Sequence, residues 1–193
     1  MILSDGDIIT RIEKGEIAID PAPNEVEIQG ASVDLRLGNN FRLFSMHTGS
    51  HIDLWQPREQ LAKTIDNVMI DEVTIGDDEA FYLHPGELVL GATLEKVTIS
   101  DSLCGILNGR SSLARLGLMV HATAHFVDPG WSGQIVLEFF NCGRSPLGLK
   151  PGMPVCALGF QVLSSPALHP YNKRENAKYR DQHGAVASRI ALD

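Results

Sequence analysis

From Val73 onward the chain is cut into short apolar stretches by turn signals: GDD at 76–78, HPGE at 84–87, DPGWSG at 128–133, CGRSPLG at 142–148 and KPGMP at 150–154. Proline presets φ for a turn and removes a donor, and glycine takes φ values that other residues avoid, so each cluster stops the element before it. Strands of about four to eight residues fit between such stops, whereas long helices do not. The pattern predicts an all-β fold, a sandwich or a barrel.

Upstream the pattern is mixed. Ser4 and Asp5 precede Ile8, Ile9 and Ile12, and Gly15 ends the run, so one short helix is expected at the start. Val33, Leu35 and Leu37 then alternate with Asp34 and Arg36, followed by Phe41, Leu43 and Ile52 in further short strands. The stretch WQPREQLAKTIDNVM reads as a short helix or an excursion. At 193 residues the chain fits one domain over 1–193, with 171–193 as a terminal extension.

The 16 Lys and Arg stand against 24 Asp and Glu, a formal charge of −8 that argues against a general nucleic-acid binder. A small anion remains possible where basic groups gather locally. No apolar stretch approaches the roughly 20 residues of a membrane span, and the opening MILSDGDIITRIEKGE has early acids and no apolar run. The expected setting is the cytoplasm, with no membrane partner. Cys104, Cys142 and Cys156 are few and scattered, with no C-x-x-C and no H-x-E of the kind that holds zinc in common nucleobase deaminases. His121 and His125 are four apart, but the Ala-Thr-Ala between them and the FVDPGW after them suggest a strand entering a turn and structural or substrate-facing histidines.

GRSSLARLGL, from Gly109 to Leu118, joins a glycine, two hydroxyls, two arginines and a helix start. Gly109 is expected to turn the chain tightly, Ser111 or Ser112 to cap a short helix, Leu113 and Leu116 to face inward, and Gly117 to stop it. The plainer reading is a mere cap; the functional one is an anion site with Arg110 and Arg115 adding forked donors. In SGQIVLEFFN, Ile135, Leu137 and Phe139 fall on one strand face and Val136, Glu138 and Phe140 on the other. A carboxylate between Val and Phe is expected to be desolvated, its pKa raised toward general acid/base work, unless it only pairs with an arginine at an interface. Asp128 of DPG has turn bracing as its plainer role. From Tyr171 the chain is locally basic, with Lys173, Arg174, Lys178, Arg180 and Arg189. This end is read either as a solvated helix or as a lid bringing Tyr171, Lys178 and Gln182 over an anion.

GRSSLARLGLMVH followed by DPGWSGQIVLEFFN resembles the dCTP deaminases of the dUTPase-like superfamily, and GASVDLRLGN, FYLHPGELVLGATLE, LKPGMPV and HPYNKRENAKYRDQHGAVASRI extend the likeness over nearly all of the chain. The resemblance implies a distorted β-barrel of jelly-roll type with a few short helices, a homotrimer with sites between subunits, and hydrolysis of dCTP to dUTP and ammonia in the supply of dUTP for thymidylate. It implies magnesium carried on the triphosphate and no zinc. Glu138 would be general base and acid, with Ser111 and Arg115 holding the water and stabilising the tetrahedral intermediate. The GRSSLAR residues Arg110, Ser111, Ser112, Leu113, Ala114 and Arg115 would contact substrate, as would Val136 and Leu137 beside Glu138. Ala124 would read the cytosine edge, Asp128 the deoxyribose, and Arg110, Ser112, Tyr171, Lys178 and Gln182 the triphosphate. Phe126 stands where some members carry arginine and others in the superfamily an aromatic residue. The superfamily likeness also suggests dTTP as a feedback inhibitor at the same site. A dUTPase, a bifunctional deaminase that cleaves on to dUMP, and a non-catalytic regulatory trimer are the alternatives.

Overall fold

The computed structural model of the protein describes residues 1–45 and 51–192; Asp193, the last residue of the expected tail, lies outside them. In chain order the regular elements are α1 (Asp5–Glu13), β1 (Ile17–Asp20), β2 (Ile28–Gln29), β3 (Ser32–Phe44), α2 (Arg58–Val68), β4 (Met69–Thr74), β5 (Phe81–Leu83) and β6 (Leu88–Ile99). They continue with β7 (Leu103–Gly109), α3 (Ser111–Ala114), β8 (Leu118–Met119), β9 (Phe126–Val127), β10 (Ser132–Asn141), β11 (Leu147–Leu149) and β12 (Pro154–Val162). The predicted all-β architecture is present. Antiparallel strands run in the order β8-β10-β6-β3-β12-β7-β9, with β1 on β6 and both β2 and β4 on β3, while β5 and β11 form a separate ribbon.

The sheet curls because one long strand serves two halves. The Val33–Arg36 part of β3 pairs with β12, and Leu37–Arg42 pairs with β6 across an irregularity between Leu37 and Phe41. Within it sits Gly38, where a Cβ would come within 3.0 Å of the Ala92 carbonyl oxygen. Bulged, glycine-bearing bends of this kind close a sheet toward a barrel. Val33, Leu35, Leu37 and Phe41 fill the interior with Ile135, Leu137, Phe139, Leu158 and Phe160. Of the separate strands expected from Phe41 to Ile52, Phe41 and Leu43 belong to the one strand β3, and Ile52 lies outside any strand; residues 46–50 lie outside the described residues.

The first helix forms as its caps predict. The Ser4 side chain accepts from the Asp7 amide and the Asp7 carboxylate answers the Ser4 amide, a capping box that satisfies two end donors. Gly15, at φ +70, turns the chain out. In α2, Leu61, Ile65 and Val68 share one face and pack with Met69, Leu90 and Ala185 in a second apolar cluster. Of the two readings of the C-terminal end, the solvated helix does not form: its described residues hold no α-helix, and they fold back onto the sheet. Arg42 donates through Nε to the Ala185 carbonyl at 2.7 Å, Gln134 accepts the Gly184 amide at 2.7 Å, and Ala185 is fully buried.

Two local packings set measurable stabilities. Gly117 has φ +100, and a Cβ there would lie 2.4 Å from the Gly143 nitrogen; Gly152, at φ +82, has nothing within 4 Å of the same position. Gly152→Ala therefore meets conformational strain alone, about 1–3 kcal/mol, while Gly117→Ala adds a backbone collision and should lower Tm by several degrees more in thermal melts. Equal losses in the two variants would contradict the packing described.

Asp34, expected on the polar face of β3, is 8% exposed and pairs with Arg110 at 3.1 Å. Burial raises its carboxyl above the ordinary 3.8, Arg110 opposes that rise, and Glu27 adds to it. The folded state thus holds this proton more tightly than the unfolded chain, so the group contributes most below the unfolded value and less as pH climbs through the folded one. Compared with Asp34→Asn, the wild type should lose relative stability as pH rises from about 4 toward neutrality, read as urea midpoints. A difference that grows in the wild type's favour over that window would reverse the assignment.

Candidate active site

A cavity of about 650 Å³ opens between β10, the bend before β9, the α2–β4 corner and the C-terminal segment. Its walls are mostly apolar, Ile65, Val68, Met69 and Leu90 among them, and two carboxylates, Glu138 and Asp128, reach it. An apolar cleft with a few convergent polar groups is what a small-molecule site requires. The pleat of β10 delivers Glu138: Ile135, Leu137 and Phe139 are buried, and the alternate residues Val136 and Glu138 line the cavity. The Glu138 Oε2 accepts the Ala122 amide at 2.7 Å, and the Glu138 amide donates to the Val120 carbonyl at 3.0 Å. In the single chain Glu138 is half-buried rather than desolvated, because the outer face of β10 opens on the cavity and not on another protein layer.

The turn at DPG places Asp128. Gly130 has φ +77, and the Asp128 carbonyl accepts the Trp131 amide at 3.1 Å, so the backbone makes the turn and the carboxylate is left for Arg174, with which it is ion-paired. Tyr171 lines the cavity, its ring 5.3 Å from that of Trp131 and its hydroxyl accepting the Tyr179 amide at 2.8 Å. Ala124 is exposed at the rim. Gln182 also lines the cavity, but its Nε2 donates to the Gln134 carbonyl at 2.8 Å, so in this arrangement the amide serves the fold.

The GRSSLAR segment lies elsewhere. None of Arg110, Ser111, Ser112, Leu113, Ala114 and Arg115 lines the cavity that holds Glu138. Three local expectations are corrected with it. Arg110 occupies the cap position of α3 and no side chain caps it, since both serines fall inside the helix. Gly109 keeps ordinary strand φ as the last residue of β7, and the positive φ belongs to Gly117. Leu113 packs on the core but Leu116 is 61% exposed, because the helix ends after one turn. Ser111, Ser112, Ala114 and Arg115 are exposed, and Arg110 is held by Asp34 and by the Pro154 carbonyl at 3.3 Å.

Leu137 is fully buried in the core, so only its backbone is near the cavity wall. Lys178 is half-buried outside the cavity lining, and its carbonyl accepts from the Arg189 guanidinium. His121 and His125 lie on a bend, their ring centroids 5.8 Å apart. Among the described residues no three His, Cys, Asp or Glu side chains gather as a metal site. Phe126 is 60% exposed at the cavity edge, 4.5 Å from the His125 ring. Sequence reasoning missed Asp34, whose signal, an acid between Val33 and Leu35, is the same as that of Glu138. It also missed the α2 wall and the Arg174 partner of Asp128, which no local pattern announces.

Comparison with known proteins identifies the family. Residues 2–163 match the family model described as dCTP deaminase-like. A dCTP deaminase of Pseudoalteromonas atlantica is 56% identical over all of this chain and 97% of its own length, and one of Tolumonas auensis is 58% identical over the full length of both. In fold, the chain resembles the crystal structure of 2′-deoxycytidine 5′-triphosphate deaminase from Agrobacterium tumefaciens, with a TM-score of 0.61 and 20% identity over 84% of this chain and 46% of that one. The acid-bearing strand, the DPG turn and the GRSS helix therefore sit in a chain that belongs to the dCTP deaminase-like family.

Proposed function

We propose that the protein hydrolyses dCTP to dUTP and ammonia, as the names of its full-length relatives indicate for them. The observation that carries the reading is Glu138, an acid projected by an apolar strand into an apolar cavity and fixed by the Ala122 amide. Of the two carboxylates there, Asp128 is ion-paired with Arg174 and Glu138 has no cationic partner among the described residues. This favours proton transfer at the base over phosphate cleavage with Asp128 as base, and so favours deamination over the dUTPase and bifunctional readings.

In the proposed reaction Glu138 takes a proton from water as the oxygen adds to C4 of cytosine, then delivers a proton to the amine, which leaves as ammonia. One carboxyl performs both transfers in turn, in the role that a zinc-bound hydroxide and its glutamate share in other nucleobase deaminases. Ser111 and Arg115 hold the water and stabilise charge on the tetrahedral intermediate. The backbone at Ala124 reads the base edge and Asp128 the deoxyribose. Arg110, Ser112, Tyr171, Lys178 and Gln182 meet the triphosphate, which brings its magnesium ion as part of the substrate. The 171–193 segment acts as the lid of the site, its Tyr171 and Gln182 already at the cavity.

Because Arg110–Arg115 lie outside the cavity of their own chain, the proposal requires a second copy to supply them, as a homotrimer with sites between subunits does. Exposed Leu116, Met119 and Phe126, beside α3 and at the cavity edge, give such an assembly apolar surface to cover. dTTP, which shares the deoxyribose and triphosphate, is proposed to compete at the same site as a feedback inhibitor.

Glu138→Gln should reduce ammonia release from Mg-dCTP on the order of 10²–10⁴-fold while calorimetric nucleotide binding changes little. Ammonia, dUTP and dUMP followed together in the wild type decide the reaction class. Ammonia with dUTP is the expected result; dUMP with pyrophosphate, or unchanged turnover in Glu138→Gln, would refute the mechanism.

A further inference from the structure

Two turns distant in sequence are locked together beside the cavity. Gly130, in the DPG turn, approaches the 170–174 turn so closely that a Cβ would lie 2.8 Å from both the Asn172 Oδ1 and the Pro170 Cβ. The Tyr171 amide donates to the Pro129 carbonyl at 2.7 Å. Across this contact Arg174 makes two different uses of one planar group. Its Nη2 donates to the Asp128 carboxylate, and its guanidinium carbon lies 4.8 Å from the centroid of the Tyr171 ring. Its Nε is shut off from solvent with no acceptor, a cost that a side chain held only for packing would avoid. Its own carbonyl accepts the Arg180 guanidinium at 2.6 Å, which holds the turn from behind.

From this geometry we propose that Arg174 is a positioning residue: it aims and neutralises the Asp128 carboxylate and pins the Tyr171 ring, so that nucleotide affinity, and not the chemical step, depends on it. The inference rests on the deaminase reading for the roles of Asp128 and Tyr171 but not for the tether itself. Left unpaired, Asp128 would present a negative charge at the cavity to an anionic ligand. Arginine suits both contacts, because its flat fork bonds a carboxylate in one plane while its face stacks on an aromatic ring; lysine retains the charge without the plane.

The test compares wild type, Arg174→Gln and Arg174→Lys in the full chain, with dCTP kinetics and amide hydrogen exchange. Arg174→Gln should raise KM for Mg-dCTP by about tenfold or more with kcat within about threefold, the signature of lost binding rather than lost transition-state stabilisation, and Arg174→Lys should recover part of it. The amides of Tyr171 and Trp131 should exchange about tenfold faster in Arg174→Gln, with those of β10 unchanged. An unchanged KM, a loss confined to kcat, or unchanged exchange at Tyr171 and Trp131 overturns the proposal. A wild type that does not deaminate dCTP would refute the function proposed above, and the exchange measurement then decides the tether alone.

Discussion

The pleat of β10 is the constraint on which the site depends. Successive residues of a strand face opposite ways, so once Ile135, Leu137 and Phe139 are in the core, Val136 and Glu138 have no choice of face. The register is pinned from β6, where Leu137 pairs with Gly91 and the Phe139 ring crosses it so closely that a Cβ on Gly91 would come within 2.6 Å. A slip of one residue would bury the carboxylate and turn the three large apolar side chains out of the core, a double penalty. The place of Glu138 is thus decided by the core side chains on the opposite face of its strand.

Charge follows a similar economy. The net charge of −8 would repel an anion if it were spread evenly, but three of the acids, Asp34, Asp128 and Glu95, are matched to arginines, while Glu138 has none among the described residues. Asp34 holds Arg110, Asp128 is held by Arg174, and the buried Glu95 binds Arg36 at 2.6 Å with Glu27 close by at 3.6 Å. A buried acid without its partner is costly, so such pairs hold their arginines in one geometry at the expense of stability. The gain is orientation: an arginine fixed at one end presents the rest of its fork at a defined angle.

Features set by neighbours in sequence were legible beforehand. The Ser4–Asp7 capping box, the Gly117 stop, the DPG turn and the alternation that exposes Glu138 all follow from residues a few positions apart. The same logic failed at Asp34, because alternation assumes one wet face, and β3 lies between β6 and β12 with Val33, Asp34 and Leu35 all buried in succession. It also failed along the polar C-terminal segment, where the burial of Ala185 depends on Arg42, 143 positions away. The α2 wall of the cavity was readable as a helix but not as a wall, since what Ile65 and Val68 face is set by the path of the whole chain. Family resemblance supplied site residues that local physics could not, and the fold then separated them: Glu138, Asp128, Tyr171 and Gln182 meet at the cavity, and Arg110 to Arg115 do not.

That separation has a structural cause within the GRSSLARLGL stretch itself. Its last residue begins β8, where Leu118 and Met119 pair with Asn141 and Phe140 of β10, and the chain continues through buried Val120, whose carbonyl receives the Glu138 amide. The stretch is therefore anchored at one end to the strand that bears the acid. Just before that anchor α3 is a single turn, followed by Gly117, which is pressed against Gly143, and none of its residues lines the cavity. Its hydroxyls and Arg115 consequently stay outside the cavity that holds the Glu138 of their own chain. In the proposed enzyme this would link catalysis to assembly, because the segment anchored to the strand of one subunit's base would present its hydroxyls and cations to another subunit's substrate.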